Sequence, residues 1–358
     1  MNKTGSSSIQ QSLWRMADNS AFYYISCGSA SPNMSSKIAT AFLDKPENYH
    51  ANRNRSADKE HVNQRKTKIL EKLSYDLKAA GNRTAILSGG NISSPGFSEG
   101  ELAKLIEFIT SRGRSITAVG YIRSPKGFME SAFQQRVKGG KSDFILKDVY
   151  SKYRLRFQKF ERLLGRENVH YWKFTPASFP NRCVVQDFCE RMSIDMSRSN
   201  TTRFNDGLSL PAISLLYAYR KYGPGYGSGP DAIPENNRLI EHIKELSGPK
   251  LRFHSSLIKP IIDDHYDDIK WMEDRLGHTL KESLTTDDHQ AISCEADIFS
   301  HLPEAARWLA KQLGPEYENR WNEKITPQEA AEWMHAYRLK MAVNAPNTGR
   351  DSLTVNEI

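Results

Sequence analysis

SITAVGYIRSPKGFMESAFQQ, residues 115–135, changes periodicity at a single turn, and that change decides the fold class. Ile116, Val119, Tyr121 and Ile122 give the first nine residues a β-branched and aromatic character that suits a strand. Ser124 and Pro125 interrupt it. Beyond them Phe128, Met129, Ala132 and Phe133 recur three and four apart, the spacing of a helix face. Two more short apolar runs read the same way, RTAILS (83–88) and NVHYWKF (168–174). Amphipathic segments at 64–80, 100–112, 127–137, 146–164 and 184–192 separate or follow these runs. Strands alternating with helices predict an α/β domain with a mostly parallel central sheet. In such sheets helix N-termini gather at the carboxyl ends of the strands, where anions bind.

The second half reads differently. A helix is expected over 208–222, with Pro211 in its first turn, and it stops at GPGYGSGPDAIP (223–234). That stretch is either a surface connection or a mobile lid. Helices at 236–246, 267–276, 303–313 and 327–343 and a short strand at 250–254 complete the reading, and the last fifteen residues, poor in apolar side chains, are expected to fray.

With 358 residues and 38% hydrophobic content there is ample material for a real core. Mean hydropathy is −0.62, and no stretch approaches the roughly 20 apolar residues that cross a bilayer. The opening residues have no apolar h-region, and Cys27, Cys183, Cys189 and Cys294 show neither C-x-x-C spacing nor a disulfide-dense pattern. The expectation is a reduced, cytoplasmic setting. Of the net charge of +8, nearly all lies between 136 and 173, where eleven Lys or Arg meet four Asp or Glu. Such a block suits a polyanion, or it is the solvated face of the helix at 146–164.

The chain opens Lys3-Thr4-Gly5-Ser6-Ser7-Ser8 before a helical pattern. A glycine followed by hydroxyl residues at a helix start suits phosphate: the backbone turns closely, and first-turn N–H groups point at the anion. Lys3 adds a charge at its mouth. A Walker A loop places its lysine after the glycine, and no such string occurs here. Further on, the strand at 115–123 delivers Arg123 to its carboxyl end, and the helix brings Ser131 round two turns later. The pair can hold one phosphate from two sides, or Arg123 can simply pair with Glu130.

Together the two elements resemble a known family. KTGSSSIQ (3–10) is similar to the 5′-phosphosulfate loop of sulfotransferases that use 3′-phosphoadenosine-5′-phosphosulfate (PAPS), and YIRSPKGFMESAF (121–133) is similar to their 3′-phosphate segment, in which an arginine precedes a serine by eight positions. KTGSSSIQQSL and the run through RVKGG resemble a bacterial group linked to surface glycans, and weaker likeness continues through VVQDFCERMSI (184–194) and 205–219. The resemblance implies a P-loop-type three-layer sandwich with a helical C-terminal region: a domain over 1–315, with a nucleotide-binding core at 1–200 and a helical acceptor-side region at 205–315, then a helical extension with a frayed tail at 316–358. It implies sulfuryl transfer from PAPS to a hydroxyl or amine acceptor, with a glycan or glycolipid expected. Lys3 would be catalytic, Lys3 to Ser8 would hold the 5′-phosphate, Arg123 and Ser131 the 3′-phosphate, and no metal is called for.

The chain departs from the pattern twice. The family's phosphate loop follows a buried strand, whereas Met1 here stands almost in the loop: the true start lies upstream, the chain is truncated, or the protein is degenerate, and an in-frame apolar segment of about six residues upstream would restore the strand. The family also tends to carry a glutamate after its second strand, whereas this chain reads Ser88-Gly89-Gly90-Asn91-Ile92. Glu99 and Glu101 are the substitute bases, or else acids stabilising a helix start; His50 and His61 rank behind them. The departures keep open a catalytically impaired relative that binds a nucleotide or anionic glycan, and the basic block keeps open a nucleic-acid-binding protein. The clusters Asp263-Asp264-His265-Tyr266-Asp267-Asp268 and Asp287-Asp288-His289 read as helix-start charge rather than metal ligands.

Overall fold

The structure, a computed structural model, describes residues 1, 3–16, 21–53, 58–196, 207–227, 231–282 and 291–343. It is mixed α/β with helices dominant. The first half runs α1 (Ser6–Arg15), β1 (Phe22–Tyr24), α2 (Ser35–Phe42), α3 (His50–Arg53), α4 (Lys59–Ala79), β2 (Thr84–Ile86), α5 (Glu99–Thr110), β3 (Ala118–Ile122), α6 (Pro125–Lys138), α7 (Tyr153–Leu164), β4 (Val169–Lys173) and α8 (Val184–Arg191). The second half is helical: α9 (Leu210–Tyr222), α10 (Ala232–Ile243), α11 (Ser255–Asp264), α12 (Tyr266–Leu276), α13 (Leu302–Leu313), α14 (Pro315–Arg320) and α15 (Pro327–Val343).

Helix starts follow local chemistry. Asp58 accepts from the His61 amide, so α4 begins five residues ahead of the periodic run at 64–80. Ser98 and Glu101 form a reciprocal capping box at α5. Ser209 accepts from the Ala212 amide and starts α9 just before Pro211. The single helix expected over 146–164 is instead a 3-10 turn, Leu146–Val149, followed by α7. Lys152 lies between them at φ 52, a left-handed conformation that a continuous helix excludes. The strand expected at 250–254 reduces to isolated bridges, Ser209 with Lys250 and Phe253 with Ile292.

Both strand pairs are parallel. Phe22, Tyr23 and Tyr24 pair with Thr84, Ala85 and Ile86, and Ala118 to Ile122 pair with Val169 to Lys173. They form two separate two-stranded sheets rather than one central sheet. Phe22, Tyr24, Ile86, Tyr121 and Trp172 face one apolar cluster with Ile9 and Leu13 of α1 and Phe188 of α8. Strand side chains alternate between faces, and Tyr23, Ala85 and Leu87 accordingly pack with α4 and α5 on the other side. Both sheets therefore share the α1–α8 layer.

The largest core cluster joins α6 and α7 to the helical half. At its centre α9 is buried at every residue from Leu210 to Arg220. Ala330, Trp333, Met334 and Tyr337 of α15 share that cluster. Among the described residues no helix is long and apolar enough to cross a membrane. The fifteen residues at 344–358 and the Asp287-Asp288-His289 cluster lie outside the described residues.

Candidate functional site

The Lys-Gly-Ser turn is tightly formed. Lys3 and Gly5 have φ of 67° and 73°, so Gly5 occupies a conformation that costs a side-chain-bearing residue about 1–2 kcal/mol. A Cβ on Gly5 would also lie 2.6 Å from Val184 Cγ1 at the start of α8. Thr4 is buried and donates its hydroxyl to Met1 O at 2.6 Å, and Ile9 N bonds Gly5 O at 3.1 Å. The helix therefore starts at Ser6, and the amides of Ser6 and Ser7 fall in its first turn, where helical geometry provides no backbone acceptor. Ser6 and Ser7 are half-buried and Ser8 is buried. Gln10 ties the helix to the end of β2, its Nε2 lying 3.1 Å from Ser88 Oγ.

Arg123 leaves the carboxyl end of β3 and reaches this turn. Its Nη1 donates to Lys3 O at 3.0 Å, and its guanidinium lies 5.7 Å from the Phe174 ring. Lys3 Nζ in turn donates to Gln135 Oε1 on α6 at 2.5 Å. Ser131 is one helical turn before Gln135, half-buried on the same side of α6, and Lys138 is two turns beyond it. The structure thus brings Lys3, Arg123 and the Ser131 face of α6 together. Gly127 makes room for this: a Cβ there would meet Arg123 Nε at 3.0 Å and Glu282 Oε1 at 3.3 Å. Glu282 accepts from Gly127 N at 3.2 Å, and Glu130 accepts from Arg252 and from Phe253 N, each at 3.1 Å.

The electrostatics are those of crowded cations. Burial pulls the Lys3 ammonium down to about 8, with Lys138 and Arg123 pushing the same way. Burial also lowers Arg123, opposed by Glu130 and Glu282. Burial lowers Lys138, and Lys244 adds to it. Like charges held together in a partly dehydrated place are relieved by an anion. A lysine, an arginine, a half-buried helix start and a serine face form a donor set suited to phosphate or sulfate groups.

The remaining sequence candidates have other tasks. Glu101 is buried, with Oε1 accepting from Asp44 N at 2.9 Å and Oε2 from Ser98 N at 2.6 Å. Glu99 pairs with Arg162 at 3.2 Å on the surface. His50 packs against Tyr49, and burial lowers its pKa. His61 bonds Asp58 at 2.9 Å at the start of α4. Asp268 accepts from Tyr153 N at 2.8 Å and Arg154 N at 2.7 Å, capping α7 from a distant part of the chain. Among the described residues no group of three or more His, Cys, Asp or Glu is placed to hold a metal ion. In the basic block, Arg136 bonds Asp143, Arg162 bonds Glu99, and Lys159 is buried against Ser94 O and Phe97 O. Those charges are turned onto local partners.

Gln135, Lys138, Gly127 and Glu282 escaped the sequence reading. The first two carry a signal, lying four and seven residues from Ser131 on one helix face. Glu282 follows Gly127 by 155 residues, and no local pattern connects them. No protein-family model matches this chain, and neither a curated protein nor a solved structure matches it.

Proposed function

We propose that the chain is a sulfotransferase built on a P-loop-type three-layer sandwich, moving a sulfuryl group from PAPS to a carbohydrate hydroxyl or similar acceptor. The observation that carries this reading is the convergence of the Lys-Gly-Ser turn and the Arg123–Ser131 segment: Arg123 bonds the Lys3 carbonyl and Lys3 bonds Gln135 beside Ser131. When bound, PAPS supplies the activated sulfuryl group and two separated phosphates. The first-turn amides of α1, with Ser6 to Ser8, fit the 5′-phosphate. Arg123 and Ser131 fit the 3′-phosphate.

In transfer, the bond from sulfur to the bridging oxygen of the nucleotide breaks and a bond to the acceptor oxygen forms. Negative charge grows on the departing oxygen, and Lys3, released from Gln135, stands beside the turn to neutralise it. The acceptor proton passes to a base. Of the two acids, Glu99 in its exposed ion pair is the more readily released, since Glu101 is committed to two backbone amides.

Thermal shift with 3′-phosphoadenosine-5′-phosphate and with AMP tests the binding half. Stabilisation by the doubly phosphorylated nucleotide alone, lost in Arg123→Ala, is the expected result; equal shifts with both nucleotides would retire the reading. Turnover with PAPS and a glycan panel tests the rest, with Lys3→Ala expected to lower it by about 10²–10³-fold. A second reading, a relative that binds the nucleotide or an anionic glycan without turnover, is favoured by the structural commitment of Glu101. Nucleotide binding without turnover on any acceptor selects it.

A further inference from the structure

Helix α6 begins without a cap of its own. Ser124 stands at its N-cap position and forms no side-chain cap. Pro125 carries no N–H, and Phe128 N is the first amide to bond within the helix, to Ser124 O at 2.9 Å. Helical geometry leaves the amides of Lys126 and Gly127 without acceptors in their own helix. Glu282, 155 residues further on, fills the place: its Oε2 accepts from Gly127 N at 3.2 Å.

Arg123 borders the same spot. A Cβ on Gly127 would meet Arg123 Nε at 3.0 Å, Glu282 Oε1 at 3.3 Å and Arg123 Nη2 at 3.5 Å. Guanidinium and carboxylate therefore edge one small space above Gly127, kept open by the missing side chain. Arg123 spends Nη1 on Lys3 O at 3.0 Å and turns Nε and Nη2 towards Gly127. Lys3 in turn reaches Gln135 on the same helix. A carboxylate on a helix start beside an arginine stands where a phosphate or sulfate group would stand.

The carboxylate arrives on a short arm. Lys173 Nζ donates to Thr279 O and Leu280 N to Glu273 Oε1, each at 2.6 Å, which anchors the chain two residues before Glu282. Lys281 is exposed and Glu282 half-buried, so rotation at these two residues withdraws the carboxylate without breaking the anchor. Asp268 gives the contrast. It holds Tyr153 N, Arg154 N and the Tyr150 hydroxyl at 2.7 to 2.8 Å, the closer and more numerous bonds of a settled cap.

We infer that Glu282 is an internal anion seated in the ligand's place at Arg123 and the α6 start, and that an external anion binds there by displacing it. The identity of the displacing ligand rests on the nucleotide reading. The competition itself rests on the placement of Arg123, Gly127 and Glu282. Two anions cannot share the space, because like charges a few ångströms apart repel strongly in a partly dehydrated site.

Calorimetric titration with inorganic sulfate and with 3′-phosphoadenosine-5′-phosphate tests it on the wild type, Glu282→Gln and Glu282→Ala. Glutamine keeps an oxygen acceptor for Gly127 N and removes the charge, so α6 remains capped. Both probes should bind both variants about tenfold more tightly or better. Adding Arg123→Ala should abolish the gain. Glu304→Gln, an exposed acid at the start of α13, controls for net charge and should shift either affinity by less than about twofold. No gain with either probe in Glu282→Gln overturns the inference, and weaker binding would make Glu282 a structural support of the site. A gain that survives Arg123→Ala, or that Glu304→Gln matches, overturns it as well. The nucleotide reading fails separately: a gain for sulfate, with the doubly phosphorylated nucleotide binding no better than AMP in every variant, retires PAPS and keeps the competition.

Discussion

Helix α9 and strand β3 both lie inside the molecule, yet they are finished to different degrees. Along α9 every side chain from Leu210 to Arg220 is buried, and its polar groups are met: Ser214 bonds Leu210 O, Tyr217 bonds Ser142 O and Arg220 bonds Asn236. β3 is paired with β4 along one edge, and its residues line a cavity of about 640 Å³. Its end carries Arg123 into a cluster of cations. Helix α9 is enclosed on every side with its polar groups met, whereas β3 is paired along one edge only and ends among crowded cations.

The largest expected effect is on the α9 side. Leu216→Ala should cost about 2–5 kcal/mol, the range for truncating a fully buried leucine. Val119→Ala, 37% exposed beside the cavity, should cost under about 1 kcal/mol. Urea denaturation midpoints give both values, and equal losses would erase the distinction between the halves. Next comes Gly5→Ala, which combines a left-handed backbone with the 2.6 Å approach to Val184. The loss should be about 2–4 kcal/mol. Adding Val184→Ala should restore the steric share and leave the backbone share; full restoration would mean that the turn is relaxed.

A third prediction sharpens the account of the cation cluster through pH. Folded Lys3 loses its proton near 8, while the unfolded side chain keeps its own to about the ordinary 10.5. Between those values the unfolded state holds more protons, so Lys3 makes the unliganded fold more stable as pH rises. Anion binding runs the other way, because it needs the ammonium. Affinity for 3′-phosphoadenosine-5′-phosphate should be level from pH 7 to 8 and then fall by up to about tenfold per unit. The phosphates themselves finish titrating near pH 6, outside this window. Lys3→Arg should carry the level region past pH 9, and calorimetric titration at each pH reads both curves. A wild-type affinity that stays level to pH 10 would remove Lys3 from the site.

What the sequence disclosed depended on whether the signal was local. The turn at Lys3, the strand end at Arg123 and the helix that carries Ser131 could be read as local structure because glycine, hydroxyl and turn residues act within a few positions. The three strands at 83–88, 115–123 and 168–174 and the helices that became α5, α6 and α15 were legible from period and caps. β1 was not, since Phe22–Tyr24 offers three aromatic residues and no alternation. α11 was hidden by Pro260 in its interior. The division of the sheet was also hidden, for it depends on what lies between two strands rather than on the strands. Gln135 and Glu282 join the site through folding alone.

The smallest predicted effect concerns the seam between the halves. Asp268 on α12 reaches the first amides of α7 and the Tyr150 hydroxyl, at 2.7 to 2.8 Å. Its carboxylate meets first-turn donors that would otherwise lack acceptors, and its charge suits the positive end of the helix. Asp268→Ala should cost about 1–2 kcal/mol. Asp268→Asn keeps an oxygen acceptor and removes the charge, so its cost should be about 0.3–1 kcal/mol. A double-mutant cycle with Tyr150→Phe reads whether the hydroxyl and the cap act together. Because α7 also lines the cavity and packs on β4, hydrogen exchange at its first turn should quicken in Asp268→Ala while α9 stays protected. Equal quickening in α9 would mean that the two halves open as one unit and that their different finish has no thermodynamic consequence.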